Sequence, residues 1–305
     1  MVFKLDTHSK HDHQQLEFEN SKMVVLNLTM TESEVALILD LRVRMANVGM
    51  NAAVILLFLP LVFSNVADAA SLRINGGIPT VFDVLKFGAV PNGRDDCSEA
   101  FVQAWNAACH HPGGNAKLVV PPGNYKLLPA VFQGPCTSEQ IVVEVQGIVT
   151  GSDQVSDYEE SQWVLFENIN GLLVTGGGTF DGSGRKTWKY NDCASNPDCQ
   201  PLAAGLKFMN VTKGIVKQVT SLNPQGYHMA LERCDDIEID GMHLNAPKTS
   251  PNTDGIHISA SNNVRVSEST IATGGNCISV DQGSTNVPVP KVTCGPKVLT
   301  AFTQM

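Results

Sequence analysis

Four segments of the chain repeat one pattern, in which an apolar residue is followed by a short polar turn and then by an alternating apolar strand. The segments occupy residues 166–174, 208–216, 231–239 and 258–266. Phe208 to Leu231 spans 23 residues and Leu231 to Ile258 spans 27, the length of one supersecondary unit. Short strands at this spacing favour the coils of a parallel β-helix. An antiparallel sandwich remains the alternative, although the two-residue polar corners favour the solenoid.

The composition also favours strands joined by tight turns. The 305 residues include 26 glycines and only 6% aromatic residues, and 43% are hydrophobic, which is enough for a large core. The formal net charge of -9 gives no basic field for nucleic acid or for an anionic membrane surface. A nucleic-acid partner is therefore not expected, and the oligomeric state stays open.

One segment ahead of the repeats has a helical pattern. Between Cys97 and Cys109, apolar side chains recur at helical intervals, at Ala100, Phe101, Ala104, Trp105 and Ala108. This spacing predicts an amphipathic helix that caps the open N-terminal end of the solenoid.

The N-terminal region carries a predicted export signal. Residues 52–63 form an apolar run that Pro60 interrupts, and residues 67–69, Ala-Asp-Ala, have the small-x-small pattern of a cleavage site. We expect a polar extension at 1–44, a signal peptide at 45–69 and a single β-helix domain at 70–305, with no membrane association after cleavage. A buried helix or short anchor is the alternative, and both Met1 and Met45 are open as the start.

All eight cysteines follow the predicted cleavage point. In a secreted chain this pattern predicts disulfides, although eight cysteines allow 105 pairings. Cys193 and Cys199 flank a loop that a disulfide between them would close. Asn210 begins an Asn-Val-Thr acceptor sequon. The three histidines near the N-terminus lack the ligand spacing of a metal site, so neither a metal nor a cofactor is expected.

Three motifs point to a known family. Residues 81–89 with the following helix, the Gly-Thr-Phe-Asp-Gly-Ser-Gly run at 178–184, and Ser-Pro-Asn-Thr-Asp-Gly-Ile at 250–256 resemble plant-type polygalacturonases. The likeness extends over roughly residues 79–296. It implies an all-β fold, a right-handed parallel β-helix, and inverting hydrolysis of the α-1,4-galacturonosyl bonds of pectin in the cell wall.

The resemblance also implies the site residues. Asp254 matches a catalytic carboxylate of the family, and Asn252 and Thr253 match substrate-binding positions. The second motif, Gly-Asp-Asp-Cys in the family, is Gly-Gly-Asn-Cys here, so Gly275 and Asn276 replace the acid and one water-activating carboxylate. An asparagine amide cannot serve as a reversible proton donor. By the same resemblance, Cys277 and Cys294 are expected to form a disulfide beside the cleft.

The third motif departs from the family as well. It begins Cys294-Gly295-Pro296 but continues with Lys297, without the family's histidine. The family's Arg-x-Lys element would lie beyond Met305, so the chain is expected to lack C-terminal coils. We expect a polygalacturonase-family protein with impaired or absent catalysis. The alternatives are a non-catalytic pectin-binding or decoy protein and another β-helix enzyme such as a calcium-dependent pectate lyase.

Overall fold

The computed structural model describes residues 79–158, 160–192, 196, 199–295 and 300–302, the last three by their backbone alone. The chain divides into two units, Met1–Asn75 and Gly76–Met305, and every described residue belongs to the second. The predicted N-terminal extension and signal peptide, together with Cys193 and Lys297, lie outside the described residues. None of the helices in the described ranges is long and apolar enough to cross a membrane.

The described residues form three sheets in which neighbouring strands come from successive coils. The first sheet contains β1 Thr80–Asp83, β3 Ala116–Val120, β6 Ile141–Val145, β9 Asn170–Thr175, β12 Thr212–Lys217, β15 Asp235–Asp240 and β18 Asn262–Ser267. The second contains β2 Asn92–Asp96, β4 Asn124–Lys126, β7 Ile148–Thr150, β10 Thr179–Asp181, β13 Thr220–Leu222, β16 His243–Asn245, β19 Thr270–Ala272 and β21 Thr293–Gly295. The third contains β5 Ala130–Gln133, β8 Gln162–Glu167, β11 Ala204–Met209, β14 Met229–Glu232, β17 Ile256–Ser259, β20 Ile278–Val280 and β22 Thr300–Phe302.

Strands within each sheet pair in parallel, as in β11 with β14 and β12 with β15. The chain passes through the three sheets once per coil, so the architecture is a right-handed parallel β-helix. The predicted all-β solenoid is therefore confirmed. The alternative of an antiparallel sandwich is wrong, because that fold requires neighbouring strands to run in opposite directions.

The sequence repeat and the coil register coincide residue for residue. Phe166 pairs with Phe208, Phe208 with Leu231, and Leu231 with Ile258. These four positions begin the four repeats, and all four side chains are buried. The rings of Phe166 and Phe208 stack with centroids 5.4 Å apart. Stacking of equivalent apolar residues thus builds one continuous core along the coil axis.

The polar corners between the third and first sheets have a common backbone conformation. Asn168, Asn210, Arg233 and Ala260 occupy equivalent positions, and each has a positive φ between 46° and 57°. Asparagine tolerates this left-handed conformation better than most residues, which explains its presence in the repeat. The Nδ2 atom of Asn210 also donates to Oδ1 of Asn168, 3.0 Å away, and so joins two adjacent coils.

The predicted capping helix is present as α1, Ser98–Cys109. Its buried side chains include all five apolar residues that the spacing selected. The helix packs against β1 and β5, which are the end strands of their sheets, and Nε1 of Trp105 donates to the Gln133 carbonyl at 3.0 Å. It therefore covers the N-terminal end of the core. Four 3₁₀ segments complete the described elements, at Val84–Phe87, Val155–Asp157, Gly184–Lys186 and Trp188–Tyr190.

Candidate active site

The two sequence motifs around Asp254 and Asn276 meet at one end of adjacent strands. Asp254 precedes β17 and Asn276 precedes β20, and these strands pair in the third sheet. The Gly255 N–H donates to the Asn276 carbonyl at 2.8 Å, and the Ile256 N–H donates to the Cys277 carbonyl at 3.0 Å. The solenoid register therefore brings together residues that are 22 positions apart in the sequence.

The carboxylate of Asp254 is occupied by hydrogen bonds from its own chain. The Asn276 N–H donates to Oδ1 at 2.8 Å, and the Asn276 side-chain amide donates to Oδ2 at 3.2 Å. The Ser279 hydroxyl also donates to Oδ2. Asp254 is only 8% exposed, so these internal donors take most of its acceptor capacity. The side chain anchors the turn that carries Asn276.

Asp254 fills the space that a side chain on Gly275 would need. An added Cβ atom would lie 2.9 Å from the Asp254 backbone nitrogen and closer still to Oδ1. Real Cβ atoms do not approach other atoms so closely, so any side chain at this position requires a shift of the backbone or of Asp254. The local packing fits glycine.

The loop that precedes Asp254 is fixed from both sides. Thr253 is fully buried, and its hydroxyl lies 2.5 Å from that of Ser250 and 2.8 Å from that of Thr273. Asn252 is partly exposed, and its Nδ2 atom donates to Oδ1 of Asn191 at 3.2 Å. Of the two predicted substrate-binding residues, the structure thus leaves Asn252 at the surface and turns the Thr253 side chain into the loop interior.

Three ionisable residues near Asp254 were not selected as site residues from the sequence. Oδ2 of Asp281 lies 3.3 Å from Nε2 of His257, and the His257 ring stacks on Tyr227 with centroids 4.6 Å apart. Burial, followed by the charges of Asp254 and Asp281, raises the pKa of Tyr227. His257 pairs in register with Ser279. The alternating Ile-His-Ile and Ile-Ser-Val triplets of β17 and β20 were the signal that could have revealed this neighbourhood.

The two nitrogens of the His257 ring have different surroundings. Its Nε2 atom faces Asp281. Its Nδ1 atom is buried and has no hydrogen-bond partner among the described residues.

A second histidine lies beneath the loop. His228 is fully buried, its Nδ1 atom is 2.9 Å from the Ser221 hydroxyl, and its backbone N–H donates to the Asp254 carbonyl at 2.8 Å. Burial lowers the pKa of its imidazole to about 3. No sequence signal distinguished this histidine from an exposed one.

Two disulfides join cysteines within the described residues. Cys277 and Cys294 form the expected disulfide, with Cα atoms 5.9 Å apart, and Cys109 and Cys136 form another. The first joins the start of β20 to β21, beside Asn276. Within the described ranges, no group of three or more His, Cys, Asp or Glu side chains could hold a metal ion.

Residues 109–297 match glycosyl hydrolases family 28. The chain is 41% identical over 225 residues to an exopolygalacturonase of Arabidopsis thaliana, an overlap of 74% of this chain and 52% of that protein. It is 40% identical over 217 residues to an exopolygalacturonase of Platanus acerifolia, with 71% and 57% covered. The chain thus spans about half the length of these relatives.

The fold has counterparts among solved structures. A hyperthermoactive exopolygalacturonase from Thermotoga maritima superposes with a TM-score of 0.60 at 17% identity, covering 73% of this chain and 61% of that one. At this identity the likeness establishes the parallel β-helix and no more. The family match covers more than half of the chain and includes both motifs that meet at Asp254. The chain therefore belongs to glycosyl hydrolases family 28.

Proposed function

We propose that this chain recognises pectin through a polygalacturonase scaffold and that its hydrolysis of α-1,4-galacturonosyl bonds is impaired or absent. The observation that carries the proposal is the state of Asp254, whose two carboxylate oxygens accept hydrogen bonds from Asn276 and Ser279. A carboxylate engaged in this way holds a turn together.

Inverting hydrolysis requires two carboxyl functions on opposite faces of the sugar. One protonates the leaving oxygen, and the other activates a water molecule. Here the second motif supplies Gly275 and Asn276, which provide neither an acid nor a base. Loss of a general acid alone lowers a rate by about 10²- to 10⁴-fold. We therefore expect turnover close to the uncatalysed background.

A purely binding role is the second candidate. The loop at 250–254 keeps a defined conformation through its bonds to Asn191 and Thr273, although Asp254 has lost its acidic partners. A rigid surface of this kind supports binding without turnover. The names of the matched relatives favour a polygalacturonase ancestry over the pectate lyase considered from the sequence.

We also propose that the protein acts outside the cell, in the cell wall. Two disulfides among the described residues favour an oxidising compartment. The signal peptide at 45–69 stays a prediction.

Binding and turnover should be measured on the same preparation of the full chain, expressed in a secretory host. We expect retention on immobilised polygalacturonate together with a reducing-sugar signal at the level of the blank. The Arabidopsis thaliana exopolygalacturonase is the positive control for turnover. Turnover comparable to that control would refute impairment, and failure to bind the polymer would refute pectin recognition.

A further inference from the structure

An acceptor sequence for N-linked glycans lies at an exposed corner of the solenoid. Asn210, Val211 and Thr212 form an Asn-x-Thr triplet, and one other such triplet begins at Asn27, outside the described residues. Asn210 lies between β11 and β12, its side chain is exposed, and its φ is 53°. In an exported chain, a triplet of this kind at a surface turn is an attachment point for a glycan.

The side-chain amide of Asn210 has the hydrogens to carry a sugar and still serve the corner. Its Nδ2 atom bears two hydrogens, and one of them is donated to Oδ1 of Asn168 at 3.0 Å. Its Oδ1 atom accepts from Nε of Arg233 at 3.1 Å. Attachment of a sugar replaces one Nδ2 hydrogen and leaves the other hydrogen and Oδ1 in place. The number of donors and acceptors that the corner uses is therefore preserved.

The other two residues of the triplet are held inside the folded coil. Val211 is fully buried, and the hydroxyl of Thr212 donates to Oδ1 of Asn170 at 3.0 Å. The acceptor sequence requires a hydroxyl at its third residue, so a transferase has to contact Thr212 as well as Asn210. The strand that begins at Thr212, β12, is also paired on both sides, with β9 and β15. The triplet is therefore open to an enzyme before this coil closes and not afterwards.

Asn210 and the candidate active site lie at opposite edges of the third sheet. Asn210 follows Met209, the last residue of β11, whereas Asp254 precedes β17. The strands of this sheet run in parallel, so all their starts lie along one edge and all their ends along the other. A strand of six residues such as β11 extends about 20 Å. A glycan on Asn210 therefore leaves the edge that carries Asp254 uncovered at its point of attachment.

We infer that Asn210 is an N-glycosylation site, modified as the chain enters the secretory pathway and before its coil folds. The inference rests on the proposed extracellular location and is independent of pectin recognition and of catalysis. In the transfer, Nδ2 of Asn210 forms a bond to C1 of the first sugar of a lipid diphosphate-linked oligosaccharide. The bond between C1 and the diphosphate oxygen breaks, the lipid diphosphate leaves with the bonding electrons, and Nδ2 releases one proton.

The site is tested on the full chain made in a yeast secretory host and recovered from the secretory compartments and the medium. Endoglycosidase H leaves one sugar on each modified asparagine, and peptide mass spectrometry should find that sugar on Asn210. Asn263 is the internal control, because it begins an Asn-Val-Arg triplet at an exposed position with a φ of 52° but lacks the hydroxyl. Thr212→Val should abolish the modification, and Thr212→Ser, which keeps a hydroxyl, should retain it.

The outcomes separate the glycan from the proposed location. A chain that enters the secretory pathway with Asn210 unmodified would overturn the glycosylation site alone. Modification of Asn210 in Thr212→Val, or of Asn263 in the wild type, would contradict recognition of the triplet. A wild-type chain that stays in the cytosol would refute the extracellular proposal and the glycan with it.

The order of modification and folding is tested with unmodified full chain from the periplasm of a bacterial host. Purified oligosaccharyltransferase and the lipid-linked donor are added to the folded chain and to the same chain after reduction and alkylation. The unfolded chain should accept a glycan at Asn210, and the folded chain should not, because Val211 is buried and the Thr212 hydroxyl is bonded to Asn170. Equal transfer to both would overturn the proposed order, and no transfer to the unfolded chain would overturn the site.

Discussion

The carboxylate of Asp254 occupies the space that a side chain on Gly275 would need. The position of the Asp254 carboxylate and the absence of a side chain at position 275 are therefore coupled. The absence of a side chain at position 275 leaves room for Asp254 to bond the Asn276 N–H, and that bond in turn closes the space. The first two predictions follow from this coupling.

Gly275→Ala should lower the free energy of unfolding by about 1–3 kcal/mol, because its Cβ atom overpacks the backbone of Asp254. Gly295→Ala is the control, since a Cβ atom there meets no described residue within 4 Å. Urea unfolding followed by fluorescence measures both variants. Equal stability of Gly275→Ala and the wild type would show that Asp254 does not hold this position in solution.

Asp254→Ala should also destabilise the fold, by about 2–4 kcal/mol. It leaves the Asn276 N–H and the Ser279 hydroxyl without their acceptor in a buried place. Glu238→Ala removes the same charge from an exposed strand position and should change stability by less than about 0.5 kcal/mol. A neutral effect of Asp254→Ala on urea unfolding would count against its structural role.

An acidic pair placed at positions 275 and 276 should not raise the hydrolytic rate to that of a working enzyme. In the double variant Gly275→Asp with Asn276→Asp, the carboxylate introduced at position 275 competes with Asp254 for one space, and the Asn276 amide donor is lost. We expect less than about 10-fold gain in reducing-sugar release, well below the range of a working general acid. A gain of several hundred-fold from these two changes alone would contradict this expectation.

Stability should fall on acidification because of His228. The pKa of its imidazole drops from the ordinary 6.5 to about 3 on burial, so the unfolded chain binds more protons between these values. The part of the unfolding free energy that depends on a neutral His228 is fully present above pH 6.5. It is lost as the pH falls toward 3, at up to about 1.4 kcal/mol per pH unit. Unfolding free energies measured from about pH 7 to about pH 4 give this slope.

Two histidine variants test whether His228, and not another titrating group, causes this pH dependence of stability. His228→Asn should flatten the pH slope whatever it does to stability at neutral pH, because no proton is taken up at that position on unfolding. His243→Gln alters an exposed histidine and should keep the wild-type slope. An unchanged slope in His228→Asn would refute the assignment.

The coil architecture could be predicted because each repeat carries its own register. The recurring sequence pattern aligns Phe166, Phe208, Leu231 and Ile258, and the same four residues pair in the structure. The helix at Ser98–Cys109 could also be predicted from the sequence, since its buried side chains recur with the period of about 3.6 residues expected of a helix. These features depend on local pattern, which a single sequence displays.

The hydrogen bonds of the candidate site depend on contacts between coils, so fewer of them could be predicted from the sequence. The motifs indicated that Asp254 and Asn276 are neighbours, but not that Ser279 completes the bonds to Asp254. The inward turn of the Thr253 side chain and the burial of His228 also depend on the partners Thr273 and Ser221 from other strands. Residue type alone does not reveal such partners.

The rate of reducing-end release from polygalacturonate, compared between the wild type and Asp254→Asn below the unfolding temperature of both, tests the central claim most directly. The account predicts that the two proteins are indistinguishable from each other and from the blank, because Asp254 holds a turn and has no acidic partner. A wild-type rate clearly above the blank that Asp254→Asn abolishes would contradict it.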